Sequence, residues 1–448
     1  MPAPHPDSDA GAEAVLFDVP RVAVKPKPKP RRRGKAAPPP VKLPPPPVLP
    51  EPEPQYPVLA GMEEVGSGLL DRFDAMQRVA ASAPGGQQLI VAGPGTGKTL
   101  VLTTRIAYLV KELGVPAAEC LALVVDQPAA EQLTARLRTL LGEPAGEVTV
   151  TTYHQLGGLL AGYAGHPGAD PQRLLDEDPV LTDRLHARWP WVFADNYEDV
   201  PEPAYRLLRW LCPPEGNLCA AADPDQALDT DARYALRFTE DYPDGRTVRL
   251  SRCYRSAATI LSAAMQVIAP GSLVERRYLD PVRRDEIPAL IGRYAAASPE
   301  DEVDFVVRTA RSLVAEGYTG AGIAVLHPDP ESLAPMLRGA VPEVTLLTLR
   351  EAKGREFPVV FLTGCTAPAL PESGGAGPGQ DAGPEHAVAR RLLFVGLTRA
   401  QQRLYVSYPT SPGTGASGLL ESTDPRLFDS LNPATLPDPA ADQQLRLL

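Results

Sequence analysis

Apolar residues in this chain fall into two kinds of run. QQLIV (87–91), LALVV (121–125), EVTVTTYH (147–154), WVFAD (191–195) and NLCAAAD (217–223) are short and nearly continuous, and stretches of helical period such as TLVLTTRIAYLV (99–110) lie between them. A second set follows from about Thr247: TVRL (247–250), AGIAVLH (321–327), EVTLLTLR (343–350), PVVFLTG (358–364) and QRLYVSYP (402–409). Strands that are apolar on both faces, alternating with helices, predict parallel sheets covered on both sides. The pattern therefore predicts an α/β protein with two lobes in tandem, over 58–245 and 246–430, joined near 245.

Two segments lie outside that pattern. Residues 1–57 contain KPKPKPRRRGK (25–35) and PPPVKLPPPP (38–47) without a periodic apolar face, which predicts a disordered, extended, basic Pro-rich tail. That tail reads either as a spacer or as a Lys/Arg run touching nucleic acid or an acidic partner. A C-terminal tail is expected over 431–448. PALPESGGAGPGQDAGPEH (368–386) reads as a surface loop.

The formal net charge is −11, and residues 1–57 hold a basic excess, so the two lobes are acidic. A nucleic-acid site on them would have to be a local basic groove. No leader or spanning segment is evident, and the five cysteines are scattered without metal-ligand spacing. A reduced, cytoplasmic protein with no membrane attachment is expected.

Residues Ala92–Thr99 read AGPGTGKT between the first apolar strand and a helix. That placement aims backbone N–H groups and a helix N-terminus at one point, where phosphates bind. Gly93, Gly95, Thr96 and Gly97 would form the cradle, Lys98 would neutralise the β- and γ-phosphates, and Thr99 would ligate Mg²⁺. ATP with Mg²⁺ is the expected cofactor. A nucleoside triphosphatase also needs a metal-binding carboxylate, a water-positioning group and cations at the transferred phosphoryl. Asp195 ends a strand, Gln226 follows another, and Tyr254, Arg255 and Arg399 come later; each alone is a weak signal.

Their order, with LLDRFDAMQRVA (69–80), TVTTYHQL (149–156), RFTEDYPDGRTVRLSRCYRSAATIL (237–261), VTLLTLREAKGREFPVVFLTG (344–364) and ARRLLFVGLTRAQQRLYVSY (389–408), resembles superfamily-1 DNA helicases of the UvrD/PcrA/Rep type. The resemblance runs from about Val58 to Tyr408. It implies two RecA-like lobes with ATP between them. It also implies that Gln77 reads adenine, Tyr254 stacks on it, Glu356 meets the ribose, and Asp195 serves the metal. Gln226 would sense the γ-phosphate, and Arg255 and Arg399 would reach across the cleft as arginine fingers. Thr152, His154, Thr348 and Arg350 would contact single-stranded DNA, with His154 open to a second reading as a buried core histidine.

The match breaks in three places. Asn196 stands where the family has the Glu that deprotonates the attacking water. Glu198 lies two residues on: it would be able to substitute if the segment leaves the strand, whereas a strand would put 196 and 198 on the same face at different depths. VVDQPAA (124–130) replaces a DNA-contacting segment, with Val125 for an aromatic, Asp126 adding negative charge and Pro128 for a cation; ALDTDARYA (227–235) lacks an aromatic–Arg platform. Only about forty residues separate His154 from Asp195, and about ninety separate Arg255 from Thr348, where relatives insert accessory subdomains. Three functions fit these residues. The first is an ATP-dependent helicase or single-strand translocase with weakened hydrolysis. The second is a pseudo-helicase acting as an ATP-controlled switch or scaffold for a DNA-repair or transcription partner. The third is a generic P-loop enzyme, in which the two arginine motifs would have no role.

Overall fold

A computed structural model describes residues 68–283, 290–367, 369–370, 384–410 and 415–433. The tail expected over 1–57, most of the 368–386 loop and nearly all of 431–448 lie outside the described residues.

Six parallel strands form the first sheet: β1 (Gln87–Ala92), β2 (Cys120–Val124), β3 (Thr149–Thr152), β4 (Trp191–Ala194), β5 (Asn217–Ala222) and β6 (Arg246–Leu250), in the order β3-β2-β4-β5-β1-β6. A short parallel ribbon follows, β7 (Arg252–Cys253) against β8 (Asp280–Pro281). The second sheet is β9 (Ile291–Ala296), β10 (Ile323–Leu326), β11 (Thr345–Leu347), β12 (Phe357–Leu362), β13 (Ala400–Pro409) and β14 (Phe428–Leu431), in the order β11-β10-β12-β13-β9-β14. Counting from the first strand of each, both sheets run 3-2-4-5-1-6. The two lobes thus share one topology.

TVRL was expected to open the second lobe, and here the structure differs. Leu89–Ala92 pair in register with Thr247–Leu250, so this strand closes the first sheet and the join lies beyond Leu250. Backbone pairing to β1 outweighs the break in the apolar pattern before it.

Both faces of each sheet are covered, as continuous apolar strands require. In the first lobe Ile90, Ala122 and Cys219 pack under α2 (Lys98–Lys111), while Leu89, Leu121 and Leu218 face the opposite cluster. In the second, Val360 and Leu362 face one core and Val359 and Phe361 the other. The alternation places the C-terminal ends of the strands, and the loops that follow them, where ligands bind in open parallel sheets.

Candidate nucleotide and interlobe site

The phosphate loop leaves β1 at Ala92 and enters α2 at Lys98. Gly95 and Gly97 have φ of +70° and +85°, a left-handed backbone in which a side chain is strained. A Cβ at Gly95 would also sit 2.5 Å from the Arg255 Cβ. Thr96 Oγ1 donates to the Gly93 carbonyl at 2.8 Å. Lys98 Nζ folds onto the Ala92 and Gly93 carbonyls at 3.1 and 3.2 Å. Burial lowers the Lys98 pKa, against the pull of Asp223, Glu198 and Asp195.

Gln77 lies on the short helix α1 (Ala75–Ser82) and completes a capping box with Asp74. Its Nε2 donates to the Thr96 carbonyl at 3.0 Å. Tyr254, 41% exposed, donates its hydroxyl to Asp74 at 2.6 Å and its backbone N–H to the Gly95 carbonyl at 2.8 Å. Gln77, Thr96 and Tyr254 therefore meet on one side of the loop.

On the acidic side, Asp195 follows the last residue of β4, and Thr99 Oγ1 donates to its Oδ2 at 2.6 Å. Burial raises the Asp195 carboxyl pKa, and Thr99 and Lys98 act against that. Tyr153, buried, donates to the Asp195 carbonyl at 2.7 Å.

The chain then leaves the strand. Asn196 has φ +51° and ψ +47°, a left-handed conformation Asn tolerates well, and Tyr197–Asp199 form a 3₁₀ turn. The shared strand face expected for 196 and 198 does not exist, because the strand ends at Ala194. Instead Asn196 Nδ2 donates to Glu198 Oε1 at 3.3 Å. Glu198 is fully buried, accepting from the Asp223 N–H at 3.1 Å and facing Lys353 Nζ at 3.4 Å. Lys353, from the segment after β11, also pairs with Asp199 and donates to the Gln226 carbonyl at 2.6 Å.

Residues from the second lobe close the group. Gln226 is buried; its Nε2 donates to Asp223 Oδ2 at 2.6 Å, and its Oε1 accepts from Arg399 Nη2 at 3.0 Å. Arg399 is buried, and desolvation, with Arg255 next, pushes its pKa down to about 9. Arg255 Nε pairs with Glu356 Oε2 at 2.5 Å, and Gln401 donates to Glu356 at 3.2 Å.

The other expected contacts sit at or just beyond the C-terminal ends of the two edge strands β3 and β11. Thr152 is buried and its hydroxyl accepts from the Gln155 N–H at 3.2 Å. His154 is exposed, which removes its reading as a core histidine. Thr348 Oγ1 donates to Glu351 at 2.9 Å. Arg350 is not a free cation: its Nη1 meets Asp229 at 2.5 Å, and nearby Arg391 meets Asp231 at 2.6 Å. Both aspartates lie in the loop that lacks an aromatic–Arg platform. In the other divergent segment, Asp126 caps α3 (Gln127–Leu141), accepting from the Ala129 N–H at 2.8 Å, with Pro128 in its first turn. The segment forms a helix start.

Sequence reasoning passed over Lys353, Asp223, Tyr153 and Arg277. Asp223 directly follows β5, the kind of strand-end acid that marked Asp195. Arg277 belongs to no local pattern, and only the fold brings it to Asp223. All five cysteines are buried and unpaired. Among the described residues no helix is long and apolar enough to cross a membrane.

Two family profiles match this chain. The UvrD/REP helicase N-terminal domain matches residues 73–165 and 169–229, and the UvrD-like helicase C-terminal domain matches 331–411. Together they cover a little over half of it. The ATP-dependent DNA helicase UvrD1 of Mycobacterium tuberculosis is 28% identical over 355 residues, covering 56% of this chain and 45% of the relative. The ATP-dependent DNA helicase PcrA of Staphylococcus aureus is 24% identical over 352 residues, covering 58% and 48%. The chain thus spans about half the length of the curated relatives it matches. A solved arterivirus nonstructural protein 10 (helicase) overlaps at a TM-score of 0.39 and 15% identity, covering 77% of this chain and 64% of that one, too loosely to carry an argument.

Proposed function

The chain belongs to the UvrD-like superfamily-1 helicase family, and from that premise we propose that it binds ATP with Mg²⁺ between its lobes and acts as a single-strand DNA translocase with weakened hydrolysis. One observation carries this reading. The phosphate loop, the Thr99–Asp195 pair, and Gln226 bonded to Arg399 converge from both sheets on one place. Thr99 and Asp195 offer hard oxygen donors, which suit Mg²⁺ completed by phosphates and water. Lys98, half-buried, and Arg399, buried, are cations that suit phosphate oxygens. The test is equilibrium binding of a fluorescent ATP analogue with Mg²⁺, then turnover with and without single-stranded DNA. Micromolar binding with DNA-accelerated turnover is expected; absence of binding by folded protein would sink the reading.

A second reading is a pseudo-helicase, an ATP-controlled switch or scaffold for a DNA-repair or transcription partner. Asn196 favours it, because an amide cannot take a proton from water. Buried reduced thiols support a cytoplasmic location for either.

Grip on DNA is expected to be restrained by Asp229 and Asp231. The Arg350–Asp229 pair is exposed and contributes roughly 0.2–1 kcal/mol, Arg391 is buried beside the exposed Asp231, and both aspartates repel phosphate. The Asp229→Asn/Asp231→Asn variant keeps an acceptor at each position and tolerates the left-handed backbone at 231, where φ is +49°. It should bind single-stranded DNA about 2–10-fold more tightly at low salt, with a log–log salt slope steeper by about 0.7 as the exposed Arg350 is freed. Fluorescence anisotropy across a salt series reads both; an unchanged slope would show that Arg350 does not reach phosphate.

A further inference from the structure

After the first helix of the second lobe (Ala258–Ile268), residues 272–282 run back over the strand ends of the first lobe. Asp280 N donates to the Ser251 carbonyl at 2.7 Å and Val282 N to that of Cys253 at 2.9 Å. Arg249 donates to the Glu275 carbonyl at 2.8 Å, and Ser272 Oγ and Leu273 N both donate to Asp225 at 2.6 Å. Leu279 lies against the phosphate loop, its methyl groups 2.6 Å from where a Cβ at Gly93 would stand. At the centre, Arg276 takes a left-handed φ of +51°, and Arg277 is buried.

Arg277 grips two fully buried carboxylates. Its Nη1 lies 2.6 Å from Asp223 Oδ1 and 2.8 Å from Asp225 Oδ2, and its Nη2 lies 3.0 Å from Asp223 Oδ2. The guanidinium also lies over the Phe394 ring, 5.1 Å from its centroid. The same Asp223 Oδ2 takes the Gln226 amide at 2.6 Å, and Gln226 Oε1 takes Arg399 at 3.0 Å. Arg277, Asp223, Gln226 and Arg399 form one unbroken series across the cleft.

We propose that Arg277 is a positioning residue for γ-phosphate recognition: its fork on Asp223 sets the amide orientation of Gln226 and, through it, the place of Arg399. This rests on the reading of the cleft as a nucleotide site. The logic is donor and acceptor matching. An ionised carboxylate only accepts, so Gln226 must turn its NH₂ to Asp223 and its oxygen to Arg399. Bidentate pairing holds that carboxylate ionised and in one rotamer, as a point charge would not. Burial alone would raise Asp223; Arg277 foremost, then Lys98, brings it to about 2. Without Arg277 the carboxylate would take up a proton or turn towards Lys98, and the amide would lose its fixed sense.

The experiment compares affinities for fluorescent ADP and for a non-hydrolysable ATP analogue, each with Mg²⁺, so that turnover is not required. The native chain, Arg277→Met, Arg277→Lys and the double variant Arg277→Met/Asp223→Asn are measured. The native chain should prefer the analogue. Arg277→Met should cut that preference about tenfold, close to 1.4 kcal/mol, while ADP affinity stays within about twofold. Arg277→Lys, with the charge but not the fork, should fall between. Arg277→Met strands two buried carboxylates; the double variant neutralises Asp223 and leaves Asp225 with its bonds from Ser272 and Leu273, which reduces this cause of misfolding, and it should show the same lost preference. Equal weakening of both nucleotides, or a full preference in either folded methionine variant, would overturn the proposal. So would a native chain that binds ADP and the analogue alike. A native chain that binds neither nucleotide refutes the nucleotide reading itself, a separate and recognisable result.

Discussion

An Asn196→Glu variant is expected to hydrolyse ATP about 10²–10⁴-fold faster than the native chain when single-stranded DNA is present, the range a positioned general base contributes. The remaining parts stand around the phosphate loop: Thr99 on Asp195, Lys98 at the loop, and Gln226 on Arg399. Glu198 is the other carboxylate near the attacking side, and it is not placed to substitute. One of its oxygens takes the Asp223 N–H, and the other faces Asn196 and Lys353. It ties the ends of β4 and β5 together and anchors the second lobe through Lys353. The left-handed backbone at 196 sets a cost of roughly 1–2 kcal/mol for Glu in place of Asn. A lower melting temperature should therefore accompany the faster turnover. Steady-state hydrolysis of both proteins decides the matter. If the native chain already turns over at the variant's rate, hydrolysis is not weakened and the base lies elsewhere.

How far the chain could be read without coordinates depended on how local each signal was. QQLIV followed by AGPGTGKT announces a strand, a cradle and a helix within about twenty residues, and all three form. WVFAD places Asp195 at a strand end for the same reason. The misplaced strand TVRL shows the limit: which sheet a strand joins is set by its partner, here β1, more than 150 residues earlier in the chain. The left-handed turn at Asn196 was equally hidden, since the apolar run WVFAD marks a strand end near Asp195 but not the backbone that follows it. The pairing of Arg350 with Asp229, and of Arg277 with Asp223 and Asp225, joins positions far apart in sequence. No spacing rule links such residues. The DNA-side departures were legible as losses, but not the contacts those segments make: a helix cap at Asp126 and two interlobe ion pairs.

Arg399→Gln, made in the Asn196→Glu background, should lower kcat by about 10³, the lower end of what an arginine finger supplies. Arg399 is held by neutral groups alone: it donates to the Val395 and Arg355 carbonyls, the Thr398 hydroxyl and the Gln226 amide oxygen. None of these is a carboxylate, so among the described residues this buried cation has no contacting counter-ion, and burial disfavours its charge. Such a group gains most when an anion arrives in the same low-dielectric space, and phosphoryl transfer concentrates negative charge on the γ-phosphate oxygens. Arg255 differs, because Glu356 already neutralises it at 2.5 Å. Replacing Arg399 should therefore reduce turnover more than replacing Arg255. ADP affinity should move little in either case, since both cations serve the transferred group rather than the nucleoside. Single-turnover hydrolysis beside ADP binding separates the two effects. Equal losses for both arginines would mean that Arg399 is no more than a strut between the lobes.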